Sequence, residues 1–425
     1  MKQLAPLLFL TLFALNLQAQ VAGDGFMITC GTGGDTLDYQ EVPVEFRQQD
    51  LRANSEFIFT FTDSVPAEAE AAIRFAGAVW GSYLISEVPI RVSVDWRDRG
   101  DARLLASAGP TNIFANFTPP SSPDAIQEVW YPVALAEAIV GEPLNSDTLA
   151  DIRVVANSTA NWNFGTEGRV SRARTDLATV MIHELGHGLG FLSSIDSTSD
   201  TTATIGFEGS DNVFRNIIYD VYLETPPGRS IVDTSEFGPG GVPSREIALA
   251  IVEQLDWNGD SAMARFNDTI VPLFAPATFD VGSSVSHTDE ATFPRGTPDA
   301  LMTPQIANGE AVRAPGPVTL GMMVDMGWPL TFVADTSGTS TREVFANTIR
   351  LHPNPTSTHF VLPLTEFEEA SVAILYSSDG REVRRVPLPR GGAQLTIDVQ
   401  QLQTGVYVVA VPDGQRLFVN RVLVR

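Results

Sequence analysis

The sequence predicts an α+β domain built around one chemistry-bearing helix, followed by a small all-β sandwich. Three observations carry this expectation. Apolar residues make up 44% of the 425-residue chain, enough to bury a sizeable core in two or three domains. Strand-type alternation and helix-type periodicity take turns up to about residue 330. Beyond Thr341 only short strand patterns remain, separated by turn signals.

Taken in order, residues 1–19 read as a secretory signal. Lys2 supplies the positive start, residues 4–17 are apolar but short for a bilayer, and Ala19 before Gln20 fits a cleavage site. No other stretch is long and apolar enough to cross a membrane, so no transmembrane segment is expected in the mature chain. Residues 20–55 are Gly-rich and then polar, and are expected to form a pro-segment or an N-terminal strand region. The main domain is expected over 56–334. Residues 56–62 alternate through Phe57, Phe59 and Phe61, a strand signal. Asp63 or Ser64 then caps a helix with Pro66 in its first turn, and residues 67–84 carry Ile73, Val79, Trp80 and Leu84 at helical intervals.

Residues 89–96 and 151–157 return to strand patterns. Thr175 or Asp176 can cap a second helix, striped by Leu177, Val180, Met181, Leu185 and Leu189. Residues 193–245 read as an irregular insertion with one apolar segment at 217–223, followed by a short helix in 246–255. Asp256-Trp257-Asn258-Gly259-Asp260 is turn chemistry that also offers oxygen ligands for Ca²⁺, without the full calcium-loop pattern. Residues 335–343 are a Ser/Thr/Gly linker. Over 344–425, six strands are expected at 360–364, 371–376, 382–387, 394–399, 405–411 and 417–424, with turns at Ser378-Asp379-Gly380 and Pro412-Asp413-Gly414.

Net charge is −24, from 27 basic and 51 acidic residues. The final segment from Thr341 holds 9 Arg against 8 Asp and Glu, so the acidity lies upstream. Phosphate binding needs clustered cations, which excludes nucleic acid as an expected partner. Cys30 is the single cysteine, so no intramolecular disulfide can form. It is read as a buried or incidental thiol in preference to a cap on a metal.

The second predicted helix carries His183-Glu184-Leu185-Gly186-His187. Residues four apart lie about one turn apart, so both imidazoles project from one face. Two such nitrogens with a carboxylate beside them form a zinc-holding pattern that also places a general base near the metal's open position. Only five histidines occur, at 183, 187, 287, 352 and 359, which makes the pattern specific. Gly186, Gly188 and Gly190 each cost about 1 kcal/mol relative to Ala in a helix interior. The first two are expected to admit a close neighbour and the third to end the helix. Catalytic zinc takes three protein ligands. Ser193 is a poor ligand, and His352 and His359 fall in the β domain. That leaves His287, with a carboxylate such as Glu208 as its rival.

Ser286-His287-Thr288-Asp289-Glu290 is followed by Ala300-Leu301-Met302-Thr303-Pro304 and later by Asp325-Met326-Gly327-Trp328. With Gly190 after the second helix histidine, this order resembles the metzincin zinc peptidases. The far-displaced third histidine is most similar to their leishmanolysin-like branch. The likeness covers about residues 150–330, and departs from the usual pattern at Ser193 and in the long gap before His287. It implies a zincin-like α/β catalytic fold, Zn²⁺ held by His183, His187 and His287, and Met302 in a turn beneath them. It also implies peptide hydrolysis by zinc-activated water with Glu184 as general base, and a strand that pairs with substrate backbone. Residues 151–157 or 161–165 are the candidates for that strand, with an ordinary buried strand as the alternative. Asp289 or Glu290 is a candidate to orient a ligand histidine, beside the simpler reading of solvated carboxylates.

Leu351-His352-Pro353-Asn354-Pro355-Thr356 and Leu402-Gln403-Thr404-Gly405-Val406-Tyr407 resemble, in order, the C-terminal sorting domain of the bacterial type IX secretion system. That likeness implies the type IX machinery as partner and a secreted or outer cell-surface location. The expected function is thus a secreted zinc endopeptidase acting on polypeptides. Two rivals stand beside it: a surface binding or adhesion protein with a structural or vestigial zinc site, and a zinc hydrolase of non-peptide substrates. A closed structural site would have four protein ligands, whereas three histidines with an intact Glu184 favour catalysis.

Overall fold

The structure, a computed structural model, describes residues 21–35, 54–62, 64–117, 125–146, 148–252, 254–330, 345–348, 351–365, 367, 372–377, 382–389, 392–413 and 416–425. The expected signal segment, residues 36–53 of the N-terminal segment, Asp63, the linker 335–343, and the turn residues Ser378, Asp379, Gly380 and Gly414 lie outside the described residues. The chain divides into two compact units, Met1–Pro329 and Leu330–Arg425.

The first unit is mixed α and β. In chain order its main elements are β1 (Val21–Asp24), β2 (Ile28–Asp35), β3 (Phe57–Phe61), α1 (Ala67–Tyr83), β4 (Ile90–Arg97), β5 (Leu104–Pro110), β6 (Asn112–Ala115), β7 (Tyr131–Pro132), α2 (Val133–Val140), β8 (Ile152–Asn157), α3 (Leu177–Gly188), β9 (Gln305–Asn308) and α4 (Pro317–Asp325). A six-stranded sheet has the order β9-β2-β5-β8-β4-β3. β3, β4 and β8 run parallel, β5 is antiparallel to β8, β2 is antiparallel to β5, and β9 is parallel to β2. A smaller antiparallel sheet joins β1, β6 and β7.

Alternation places β4 in the sheet with Ile90, Val92, Val94 and Trp96 buried. β8 was a candidate to pair with an outside peptide. It lies between β4 and β5 and has no free edge, which fits its almost continuous burial. Helix α1 starts after Pro66, whose fixed φ suits a helix entry. Ser64 does not cap it; its hydroxyl donates instead to the Trp96 carbonyl at 3.3 Å. Trp80 of α1 is fully buried and donates its indole N–H to the Ile182 carbonyl of α3 at 2.7 Å, which ties the two helices together. α3 in turn packs on β5, β8 and β2.

Helix α2 carries a buried carboxyl with a pH consequence. Glu137 is 2% exposed, and its Oε1 accepts the Leu144 and Asn145 amides at 2.8 and 3.2 Å. Burial first, then the nearby Asp151 carboxyl, push it up to about 7 from an ordinary 4.5. A folded-state value raised in this way gives stability that is full below pH 4.5 and is lost as pH rises through about 7. Glu137→Gln keeps an acceptor for both amides. It should flatten the decline in unfolding free energy between pH 5 and 8, by about 2 kcal/mol at the upper end. Equal pH slopes in denaturant titrations of the two proteins would remove this account.

The second unit is a sandwich of β10 (Phe345–Thr348), β11 (His359–Pro363), β12 (Val372–Ser377), β13 (Glu382–Pro387), β14 (Gln394–Asp398), β15 (Gly405–Asp413) and β16 (Arg416–Val424). A five-stranded sheet, β10-β16-β15-β12-β13, faces a β11-β14 pair. Phe360, Leu362, Leu375, Val399, Val409, Val411 and Val422 fill the core between them. The Pro353-Asn354-Pro355-Thr356 stretch fastens onto β16: the Asn354 amide side chain bonds the Arg421 carbonyl and the Leu423 N–H, each at 2.8 Å, and the Thr356 N–H donates to the Leu423 carbonyl at 2.8 Å.

Candidate metal centre

Asp176 caps α3, its carboxylate accepting the Thr179 N–H at 2.9 Å. One turn further on, the helix periodicity places His183 and His187 on the same side. Gly186 lies beneath: a Cβ there would sit 2.9 Å from Met302 Sδ, so only glycine lets the methionine come this close. Gly188 meets Ile152 of β8 in the same way, at 2.3 Å for a Cβ.

His287 reaches the helix from a loop ladder. Its carbonyl accepts the Phe274 N–H at 2.9 Å, and the next amide, Thr288, donates to the Met302 carbonyl at 2.9 Å. Two residues earlier, Val285 takes a φ of 70°, a left-handed conformation that a β-branched side chain rarely adopts. The Tyr219 hydroxyl, donating to the Val285 carbonyl at 2.9 Å, helps hold it there.

The three histidines converge. Their Nε2 atoms lie 3.0 Å (183–187), 3.2 Å (187–287) and 3.3 Å (183–287) apart, and all three side chains are fully buried. Each Nδ1 faces a backbone carbonyl: Leu301 for His183 at 2.7 Å, Phe191 for His187 at 2.6 Å, and Ser283 for His287 at 2.7 Å. A carbonyl only accepts, so each Nδ1 carries the proton and each neutral ring turns a lone pair inward. Burial favours that neutral form. It lowers His183 to about 4 and His287 to about 3, and holds His187 well below the usual range. Three lone pairs this close repel one another unless a cation sits among them, so the group can hold a metal ion. Glu208, the rival ligand, is exposed on a two-residue strand and does not join the group.

Glu184 is fully buried beside this group, and neither carboxylate oxygen has a close hydrogen-bond partner. Burial raises its proton affinity well above that of an ordinary carboxyl; the Arg99 guanidinium, and more weakly the Ala108 amide, oppose this. Cys30 of β2 is also fully buried. Its Sγ, a His183 ring nitrogen and a Glu184 oxygen lie within 4.8 Å of one another. The thiol is therefore buried, as expected, but not incidentally placed.

The other candidate residues have partners of their own. Asp289 bonds the Thr292 N–H and hydroxyl, and Glu290 pairs with Arg295; backbone carbonyls orient the histidines instead. Ser193 uses its hydroxyl elsewhere. Its hydroxyl and that of Ser194 donate to the buried Asp220 carboxylate, which anchors the chain leaving α3. Asp256 to Asp260 contributes to no group of three converging ligands among the described residues. Behind the helix cap, Arg313 is fully buried. It clasps Asp176 at 2.5 and 3.1 Å and bonds Thr179 Oγ1 at 2.9 Å. An Asp–Arg pair 137 residues apart leaves no local sequence signal.

Residues 350–425 match the secretion system C-terminal sorting domain family. Residues 124–218, which contain α3, match a family described as SPBPB7E8-like. No curated protein matches the chain. The sorting domain marks the protein for the type IX secretion machinery and for the cell surface or beyond. Among the described residues, no helix is long and apolar enough to cross a membrane.

Proposed function

We propose that this exported protein is a zinc-dependent endopeptidase of metzincin type. The observation that carries the reading is the convergence of three imidazole nitrogens beside a buried carboxylate without a close partner. Tetrahedral zinc with Zn–N distances of about 2.0–2.1 Å sets its nitrogens about 3.3 Å apart. The observed spacings of 3.0–3.3 Å suit that ion, and a donor set of three imidazole nitrogens suits zinc where calcium takes oxygen ligands. His183, His187 and His287 would hold the metal, which in such a site acidifies water and polarises a carbonyl.

The remaining steps belong to the chain. Glu184 takes a proton at its carboxylate and returns it to the leaving amine. The Leu301, Phe191 and Ser283 carbonyls keep the three rings in one tautomer. Met302 packs under the helix through the gap at Gly186. A purely structural metal site would make no use of a buried Glu184, which favours this reading over an adhesion protein with a vestigial site.

The test is metal analysis of the purified protein together with a chelator-sensitive digest of an unstructured polypeptide. One equivalent of zinc is expected, with hydrolysis lost on chelation and restored by zinc. His287→Ala should bind zinc at least about tenfold more weakly. A protein that binds no metal, or whose His287→Ala variant binds it equally well, is not this enzyme.

A further inference from the structure

We propose that Tyr219 and Asp220 form a buried brace that aims His287 at the metal, with Tyr219 as the positioning residue for the third ligand. The inference rests on the metal centre of the peptidase reading, not on hydrolysis. It gives the segment between His187 and His287 a task at that centre.

The need for a brace comes first. His183 and His187 are set by one helix. His287 arrives from a loop 100 residues beyond His187. Within that loop the Ser283 and Ser284 amides turn back to the Asp280 carbonyl, and the Ser286 amide to the Ser284 carbonyl. The Val285 N–H and the His287 carbonyl both pair with Phe274, each at 2.9 Å, which fixes the height of the loop. That ladder leaves the Val285 carbonyl and the Ser286 side chain to be held from elsewhere. Val285 is fully buried at a φ of 70°, a conformation that a β-branched residue keeps only when its surroundings impose it.

The brace holds both of those residues. The Tyr219 hydroxyl donates to the Val285 carbonyl at 2.9 Å. Asp220, the next residue, accepts the Ser193 hydroxyl at 2.6 Å, and the Ser193 N–H donates to Ser286 Oγ at 3.0 Å. Val285 is thus held directly and Ser286 through Ser193, on the two positions that lead into His287. Tyr219, Asp220, Ser193, Val285 and Ser286 are all buried, so water does not compete for these bonds.

The brace is itself fixed. It lies in a short 3₁₀ helix, Ile218–Tyr222, whose first N–H donates to the Trp130 carbonyl at 2.8 Å. Asp220 Oδ2 also accepts the Ile217 N–H at 3.3 Å. The Tyr219 ring packs edge-on against Phe191 and Trp257, with centroids 5.3 and 4.8 Å away. Phe191 is the residue whose carbonyl accepts from His187 Nδ1, so the brace packs beside the support of the second ligand as well. A hydroxyl on so fixed a ring holds the Val285 carbonyl in one place. Without it the third imidazole must be ordered by the metal itself, which weakens binding.

The test measures zinc affinity on the full chain by competition with a chromophoric chelator. Cobalt(II) in place of zinc reports ligand geometry through its visible absorption, and urea titration followed by tryptophan fluorescence reports stability. Tyr219→Phe keeps the ring and removes the hydroxyl. It should bind zinc at least about tenfold more weakly and change the cobalt spectrum. In a His287→Ala background the same substitution should alter zinc affinity by less than about twofold, because the hydroxyl acts through His287. Ser286→Ala leaves Tyr219 untouched and should weaken zinc in the same His287-dependent way. Ile73→Val, in the core of α1, should lower the urea midpoint and leave zinc affinity unchanged.

If the unaltered chain binds zinc and His287→Ala binds it weakly, but Tyr219→Phe and Ser286→Ala bind it like the parent, the brace is refuted and the metal centre stands. The brace also falls if Tyr219→Phe weakens zinc equally with and without His287, or if Ile73→Val weakens it as much. If the unaltered chain binds no zinc, the metal reading falls and the brace with it.

Discussion

Replacing Glu184 by Gln should leave one equivalent of metal bound and slow the proposed metal-dependent peptide hydrolysis by about 10²–10⁴-fold. The amide keeps the side chain's size, so the packing around His183 and His187 survives. It cannot accept a proton, so the carboxylate beside the three imidazoles can no longer move one between water and a leaving amine. No close hydrogen bond holds the carboxylate oxygens, so the substitution removes a charge that faces Arg99 but no hydrogen bond, and retained zinc separates a chemical loss from a folding defect. The deficit should fall on kcat more than on KM, because proton transfer is made in the transition state and not in the bound ground state. Zinc content, kcat and KM are measured on one preparation. Undiminished turnover with zinc in place would show that Glu184 is not the base.

The second large effect is on stability. Arg313 and Asp176 form an ion pair with zero exposure on both side chains. Asp176→Ala strands a buried guanidinium, removes the cap of α3 and takes away the nearer of the Thr179 hydroxyl's two acceptors. Breaking one partner of such a pair costs about 3–5 kcal/mol, because the remaining charge stays out of water without compensation. All six tryptophans, at 80, 96, 130, 162, 257 and 328, lie in the first unit, so tryptophan fluorescence, excited where tyrosine does not absorb, reports that unit's unfolding without signal from the sorting domain. The midpoint in denaturant should fall strongly for Asp176→Ala, and the double variant Asp176→Ala/Arg313→Met should recover much of the loss. A double variant no more stable than the single one would mean that the pair does not act through buried charge.

Much of the fold could be read along the chain. Phe57–Phe61, Ala67–Tyr83, Ile90–Arg97, Ile152–Asn157 and the zinc-pattern helix each announce themselves through periodicity, as do the sandwich strands from His359 onward. β5 does not. Its Leu104-Leu105-Ala106-Ser107-Ala108-Gly109-Pro110 lacks alternation because it is covered by β2, β8 and α3 together. The Asn112–Ala115 strand, the Val133–Val140 helix and the Pro317–Asp325 helix are short, and take their stability from neighbours more than from pattern.

The candidate site divides along the same line. The sequence by itself determined that His183, Glu184 and His187 share one helical neighbourhood, that glycines open that helix to close neighbours, and that the chain ends in an exported sorting domain. These follow from local backbone geometry and contiguous motifs. Only the tertiary structure decided that His287 and not Glu208 meets the pair, that carbonyls and not Asp289 or Glu290 orient the rings, that Ser193 serves Asp220, and that Cys30 lies against Glu184. Each of those depends on which distant segments pack together, and backbone pairing between strands carries almost no residue code from which such a meeting can be read in advance.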